Sequence, residues 1–335
     1  MSKLRVGVIG VGGFGELHVT AYQTLPDVEL VAISDNREER LREVAARYGI
    51  GESYTDSSEL CARSDVDLVS IVTPESEHLA PVLAAAKHGK HIFLEKPIAT
   101  SLEDGQRIIS AAEKACVYLM VGHICRFDSR YASMKHIVDE GQLGDLVSIH
   151  ARRNRPKRLY AVYGKRVPGL LVNAIHDIDL CLWYTRQNVV RVRAFTRNIQ
   201  KGKNPDINWG FLEFENGAVA CIQTHWLMPD QSGVVTDDGM QLIGTKGTAN
   251  IDLTTSGLQL WTEAGSEMPN VSYDAWFHDE IHGPIKEELS YFVRCVRGKK
   301  SPTIITPVEA LAALRIALAL VQSAHEDREI KPAGP

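Results

Sequence analysis

Leu4-Arg5-Val6-Gly7-Val8-Ile9-Gly10-Val11-Gly12-Gly13-Phe14-Gly15 begins as a short apolar, β-branched run and passes directly into glycines spaced Gly-x-Gly-x-x-Gly. A helical pattern follows, and a second apolar run, Val28 to Ile33, leads to Asp35, twenty residues after Gly15. The glycine spacing alone matches many turns. Strand, glycine turn, helix, strand and acid in this order and at this spacing are what a dinucleotide site needs. Gly10 allows the tight turn, Gly12 lets backbone approach a pyrophosphate, and Gly15 lets helix and strand meet closely. The helix N-terminus offers free N–H groups and partial positive charge to the phosphates. Asp35 suits the adenosine ribose hydroxyls. Gly10, Gly12, Gly13, Phe14 and Gly15, with Asp35, Asn36 and Arg37, are therefore the expected cofactor-binding residues. Asp35 repels a 2′-phosphate and favours NAD. Arg37 and Arg40 are close enough to accept one if the loop rearranged, which keeps NADP as the alternative.

A chain of 335 residues accommodates about two domains and an ample core. Its 44% hydrophobic and 24% charged residues are those of an ordinary globular protein. The net charge of −5 argues against a general affinity for nucleic acid or anionic membrane. The apolar run after Met1-Ser2-Lys3 is strand-length, too short for a secretory signal. The longest apolar stretch, Ala310 to Val321, is broken by Arg315 and reads as a buried helix rather than a membrane span. Cys61, Cys116, Cys125, Cys181, Cys221 and Cys295 are scattered, with no C-x-x-C pair. That is the usage of a reducing compartment, so a cytoplasmic protein is expected.

The first 120 residues alternate strand and helix signals: strands at 4–9, 28–34, 67–72, 90–94 and 117–121, amphipathic segments at 15–24, 37–48, 76–88 and 101–115. This rhythm predicts a doubly wound parallel sheet of the Rossmann kind, with ligands crossing the carboxyl ends of its strands near turns 73–78 and 95–97. After Gly122 the rhythm changes to a helix at 129–140, a strand at 146–153 and a helix at 174–185. Strands follow at 189–197, 208–215, 218–226, 239–244, 248–253 and 257–262, then helices at 283–297 and 307–325. Turns such as Glu215-Asn216-Gly217 mark an antiparallel sheet. The expected division is residues 1–122 as a dinucleotide-binding domain and 123–335 as a second α/β domain for substrate binding and oligomerisation.

Glu95-Lys96-Pro97 ends the apolar strand His91-Ile92-Phe93-Leu94. At the carboxyl edge of such a sheet, Lys96 could bind a substrate hydroxyl or take its proton; a surface lysine after a strand is the plainer reading. In Asn173-Ala174-Ile175-His176-Asp177-Ile178-Asp179, helical spacing puts Asn173, His176 and Asp179 on one face and turns Asp177 elsewhere. His176 has the intrinsic pKa of a base for a secondary alcohol, and Asn173 could orient a sugar or the imidazole. A buried structural histidine paired with Asp179 is the alternative. No third ligand for a metal is evident, and His278-Asp279-Glu280-Ile281-His282, which breaks at Gly283-Pro284, matches no zinc pattern. No metal is expected. Arg152-Arg153-Asn154-Arg155-Pro156-Lys157-Arg158 is the one dense basic run. On a strand, Arg152 and Arg153 face opposite ways, so Arg153 is a candidate for the substrate and the rest of the run reads as a solvated loop that also forms subunit contacts.

Together these residues resemble the Gfo/Idh/MocA family of oxidoreductases. The resemblance covers nearly the whole chain. It rests on Gly10-x-Gly12-x-x-Gly15, Thr73-Pro74-x-x-x-His78, Glu95-Lys96-Pro97, Gly122-His123-x-x-Arg126-Phe127 and Ile175-His176-Asp177-Ile178-Asp179. It implies a Rossmann domain followed by an α/β domain whose open, mostly antiparallel sheet forms homodimers or homotetramers. It also implies hydride transfer between NAD(P) and a secondary alcohol or ketone of a sugar, cyclitol or sugar derivative. On that likeness Lys96 and His176 are catalytic. Thr73, Pro74, His78 and Glu95 line the cofactor, and Arg126 joins Asn173, Asp179 and Arg153 near the substrate. One position departs from the family pattern. Many dehydrogenase members carry a carboxylate four residues before the histidine, and here that residue is Val172. Two other readings follow from the departure and the fold: a reductase of a non-sugar, or a catalytically weak NAD-binding sensor.

Overall fold

The computed structural model describes residues 2–334 apart from 255–257, 259, 263–264, 268–274 and 279. The chain divides into two compact units, residues 1–127 with 273–311, and residues 128–272 with 312–335.

The first unit begins with β1 (Leu4–Ile9), α1 (Gly13–Thr24), β2 (Val28–Ser34), α2 (Glu38–Tyr48), β3 (Ser53–Tyr54) and α3 (Ser57–Ala62). It continues with β4 (Leu68–Ile71), α4 (Leu79–Lys87), β5 (His91–Glu95), α5 (Leu102–Lys114) and β6 (Leu119–Gly122). All neighbouring strands run parallel in the order β3-β2-β1-β4-β5-β6. β4 and β6 are buried along their whole length, as a sheet covered on both faces requires. Side chains set the helix starts: Asp56 accepts from the Ser58 amide before α3, and Ser101 from Asp104 before α5. The strand order reverses between β1 and β4, the place where such sheets bind ligands.

The second unit contains α6 (Ser129–Asp139), β7 (Leu146–Asn154), α7 (Lys157–Leu159), α8 (Gly169–Val172) and α9 (Ala174–Thr185). β8 (Val189–Arg197), β9 (Ile207–Phe214), β10 (Val219–His225), β11 (Asp237–Gly244) and β12 (Thr248–Asp252) follow. The sheet order is β12-β11-β7-β10-β9-β8, antiparallel except for the β7–β10 pair. Two small hairpins come next: β13 (Leu260–Thr262) with β14 (Gly265–Glu267) in this unit, and β15 (Ala275–Phe277) with β16 (Glu280–His282), which belongs to the first unit. Of the strand expected at 257–262, residues 257 and 259 lie outside the described residues; Asp279 of the His278–His282 segment does too.

The two compact units divide the chain differently from the expected boundary at residue 122. The first unit runs on through a 3₁₀ turn, Ile124–Phe127. Residues 273–311 also return to it, so the C-terminal part is not one continuous domain. Helix α10 (Pro284–Arg297) buries Ile285, Leu289, Phe292, Val293 and Val296 and packs on α1. Phe292 meets Phe93 of β5 with ring centroids 6.0 Å apart. Periodicity showed that this helix has an apolar face and could not show which surface that face meets. The last helix, α11 (Pro307–Glu326), is long and apolar enough by composition to cross a membrane. It is a core helix: Ala313, Leu314, Ala317 and Leu320 are buried, and Ser323 accepts a bond from the Ala194 amide of β8.

Candidate dinucleotide site and substrate residues

The glycine turn of the first unit has the shape its sequence implies. Gly10 lies in the left-handed region at φ +87°, and a Cβ there would stand 2.7 Å from the Val72 carbonyl oxygen. A Cβ on Gly15 would come within 1.9 Å of the Gly10 oxygen, so α1 can approach the turn only without one. Gly12 caps α1 with no side-chain bond, and nothing lies within 4 Å of a Cβ on Gly13. The first amides of a twelve-residue helix are thus left uncovered by side chains, which suits a pyrophosphate. Phe14 is half-buried, its ring 5.5 Å from that of His18.

Asp35 ties this turn to the end of β2. Its carboxylate accepts from the Val11 amide at 3.0 Å and the Arg37 amide at 2.9 Å. The Arg37 guanidinium adds bonds of 3.0 and 3.1 Å. Burial works to raise its pKa, but the bonds from Arg37 and Val11 outweigh it and hold the carboxyl below its ordinary value. Asn36 and Arg37 are exposed beside it. Arg40 differs from expectation. Its Nε donates to the Val11 carbonyl at 2.9 Å, and its other nitrogens pair with Glu16 and Glu43. It braces the glycine turn and is committed, not free for a 2′-phosphate.

Thr73 and Pro74 follow β4 and are half-buried. His78, expected to line the cofactor, is instead buried beneath the turns. Nδ1 faces the Pro97 carbonyl at 3.0 Å and Nε2 the Thr73 carbonyl at 3.1 Å, so the ring joins the 73–74 turn to the 96–97 turn. Burial lowers its pKa and favours the neutral ring, which donates to one of these two carbonyls and lies against the other. Glu95 is also buried. One oxygen lies 3.2 Å from His18 Nε2, and the other accepts from the Lys96 amide at 3.2 Å. His18 Nδ1 reaches Ser70 Oγ at 2.9 Å. His18 and Ser70 carry no motif, and sequence reasoning missed both. Lys96 is half-buried, and its bond to Pro97 is cis.

In the second unit every residue from Gly169 to Cys181 is buried except His176. Val172 is buried at the end of α8. Three residues expected at the substrate lie inward. Asn173 is buried and donates to Thr224 Oγ1 at 3.2 Å. Asp179 is wholly buried. Arg153 has 1% of its side chain exposed: Nε and Nη2 grip both oxygens of Asp177 at 3.0 and 2.8 Å, and Nη1 reaches Asp238 at 2.9 Å. Arg155 closes this cluster on Asp238. Arg152 and Arg153 do alternate along β7, and Arg153 is the one that points inward, where two carboxylates occupy it. Arg126, in the first unit, is buried as well, bonded to the Ile304 carbonyl at 2.7 Å and to Glu309 at 3.0 Å. Among the described residues no group of three or more His, Cys, Asp and Glu could hold a metal.

Residues 4–123 match the family described as "Oxidoreductase family, NAD-binding Rossmann fold", and residues 131–250 match the GFO/IDH/MocA C-terminal domain. Myo-inositol 2-dehydrogenase of Thermotoga maritima is 30% identical over 338 residues, with 98% of each chain covered. Scyllo-inositol 2-dehydrogenase (NAD(+)) of Bacillus subtilis is 27% identical, covering 96% of this chain and 94% of that one. The crystal structure of a probable dehydrogenase from Thermotoga maritima superimposes with a TM-score of 0.84 at 29% identity, with 98% of each chain covered. The glycine turn, Asp35 and the six-stranded parallel sheet fit NAD, and this chain belongs to the Gfo/Idh/MocA family of NAD-binding oxidoreductases.

Proposed function

We propose that this protein is an NAD-dependent dehydrogenase of a cyclitol of the inositol class, oxidising a secondary ring hydroxyl to a ketone. The observation that carries the reading is His176: it alone keeps exposed surface in an otherwise buried thirteen-residue stretch, Gly169 to Cys181. A histidine with only a structural role has no reason to be that exception. Inositol dehydrogenases among the relatives supply the substrate class. Bound NAD supplies the hydride acceptor. The protein's part is to hold the hydroxyl and receive its proton, for which Lys96 and His176 are the available groups. Lys96 is set by the Glu95 carboxylate through its amide, and His176 by the packed helix that bears it.

Myo-inositol, scyllo-inositol and other polyols, assayed with NAD by absorbance of NADH, test the reading. Lys96→Ala and His176→Ala should each lose turnover by about a hundredfold or more, in the range of general acid–base catalysis, while NAD affinity stays within a few-fold. Tight NAD binding with no oxidation of any cyclitol would refute it. The outer face of the second sheet exposes Phe195, Phe211 and Val219, an apolar surface suited to a second copy of the chain. A homodimer or homotetramer is therefore part of the proposal, tested by light scattering after size exclusion. The free cysteines suit a cytoplasmic setting.

A further inference from the structure

Helix α10 carries one carboxyl into the interior of the first unit. Glu288 is fully buried beside the apolar stripe of Ile285, Leu289 and Phe292. Neither of its side-chain oxygens has a hydrogen-bond partner among the described residues. The phenolic oxygen of Tyr22, on α1, is buried as well, with Ser70 beside it, and burial pushes its pKa up. The elements packed on α10 are α1, β5, β16 and the 124–127 turn. Their titratable and charged groups are Glu16, His18, Tyr22, His91, Glu95, Glu280, His282, Cys125 and Arg126, with His123 just before the turn. Of these, Glu95 is the group whose charge acts on Glu288. Burial first, and then that charge, push the Glu288 carboxyl well up from its ordinary value.

An ionised carboxylate with neither a cation nor a donor beside it costs several kcal/mol. A neutral carboxylic acid costs far less and gains a donor of its own. A buried carboxyl with both oxygens unmatched is also the setting of an internal water, which commonly makes about three hydrogen bonds to buried groups of this kind. Meanwhile both oxygens of Glu95 are in use, at His18 Nε2 and at the Lys96 amide. The space beside it is so tight that a Cβ on Gly122 would lie 2.8 Å from Glu95 Oε1.

We propose that Glu288 is a positioning residue for the dehydrogenation: a neutral carboxylic acid, satisfied through an internal water, whose lack of charge leaves the Glu95 carboxylate undisturbed at His18 and at the Lys96 amide. The consequence falls on Lys96. Were Glu288 ionised, its charge would act on the Glu95 carboxylate, the acceptor that holds the Lys96 amide. The inference rests on the reading of Lys96 as a residue that handles the substrate proton.

The test compares the full-length protein with Glu288→Gln, which copies the neutral form, and Glu288→Ala, which removes it. The readouts are melting temperature from pH 5.5 to 9, NAD affinity, and steady-state kinetics with myo-inositol. The native protein should lose melting temperature as pH rises, because the folded state must keep a proton that the unfolded chain releases. Glu288→Gln should flatten that loss and keep kcat within about twofold, while Glu288→Ala loses about tenfold or more in kcat with NAD affinity within about threefold. Should Glu288→Ala not fold, the Gln variant decides. Glu288→Gln as damaging as Glu288→Ala, or with the native pH slope, would overturn the proposal, as would native kcat in Glu288→Ala. The melting slope needs no substrate, so a failure of the cyclitol reading and a failure of this one are told apart.

Discussion

Replacing Arg153 with methionine, similar in length but uncharged, separates a structural arginine from a substrate-binding one. Arg153 and Arg155 face Asp177 and Asp238 in a cluster of two positive and two negative side chains, and Arg153 bonds both Asp177 oxygens. Removing it strands the Asp177 carboxylate, which is completely buried. Breaking a buried pair by removing one partner costs about 3–5 kcal/mol. At roughly 2–4 °C per kcal/mol for a unit of this size, the melting temperature should fall by about 10 °C. The deficit should also depend on pH. Burial already raises the Asp177 pKa against the pull of Arg153. With the guanidinium gone the folded-state value rises further, so stability is retained at low pH and lost as pH rises. Calorimetry at pH 5.5 and 8 should therefore show the smaller deficit in acid, and Arg153→Met with Asp177→Asn should recover part of the loss. An unchanged melting temperature with a raised KM would refute this account and restore Arg153 to the substrate.

Asp35→Ala should weaken NAD binding by about tenfold and raise the NADP-to-NAD preference by a similar factor, since it removes a repelling charge and releases Arg37; an unchanged preference in parallel kinetics would count against the Asp35–Arg37 clamp. The same carboxyl, held below its ordinary pKa, lends stability that is present above about pH 4 and lost as pH falls through its folded value, so the acid limb of the melting curve should flatten in Asp35→Ala. Gly15→Ala should abolish measurable NAD binding in titration calorimetry and destabilise by about 3 kcal/mol or more, because its Cβ would overlap the Gly10 oxygen at 1.9 Å. His78→Ala should cost about 1–3 kcal/mol in denaturant unfolding by removing the donor of a buried carbonyl. It should also weaken NAD binding, and native affinity would show that the two turns hold without it.

Most of the architecture was legible because its signals are local. Leu4–Ile9 and Val28–Ser34 are strands at the expected bounds, and Ala174–Thr185 is the expected helix. β3, two residues long at the sheet edge, has no periodicity to read, and the short helix from Ser57 was also missed. The site was half legible. Glycine geometry and the Asp35 spacing follow from chain order alone. The roles of Arg153, Arg126 and His78 depend on residues far away in sequence, and a polar side chain in a motif looks the same whether it meets a ligand or a buried partner. Glu288 left a faint trace, a carboxylate beside the otherwise apolar stripe of an amphipathic helix. His18 and Ser70 left none.

The return of α10 to the first unit has a consequence for synthesis on the ribosome. The nucleotide-binding sheet is complete in sequence at Gly122, yet Phe93 has its partner Phe292 only after some 170 more residues. At roughly 5–20 residues per second, that is a wait of about 10–30 s with an apolar flank of the nascent unit uncovered. A fragment cut at Phe127 would emerge with the same flank permanently bare. The first half of this protein is thus finished by its last hundred residues, and its birth is a period of exposure that a chaperone is suited to cover.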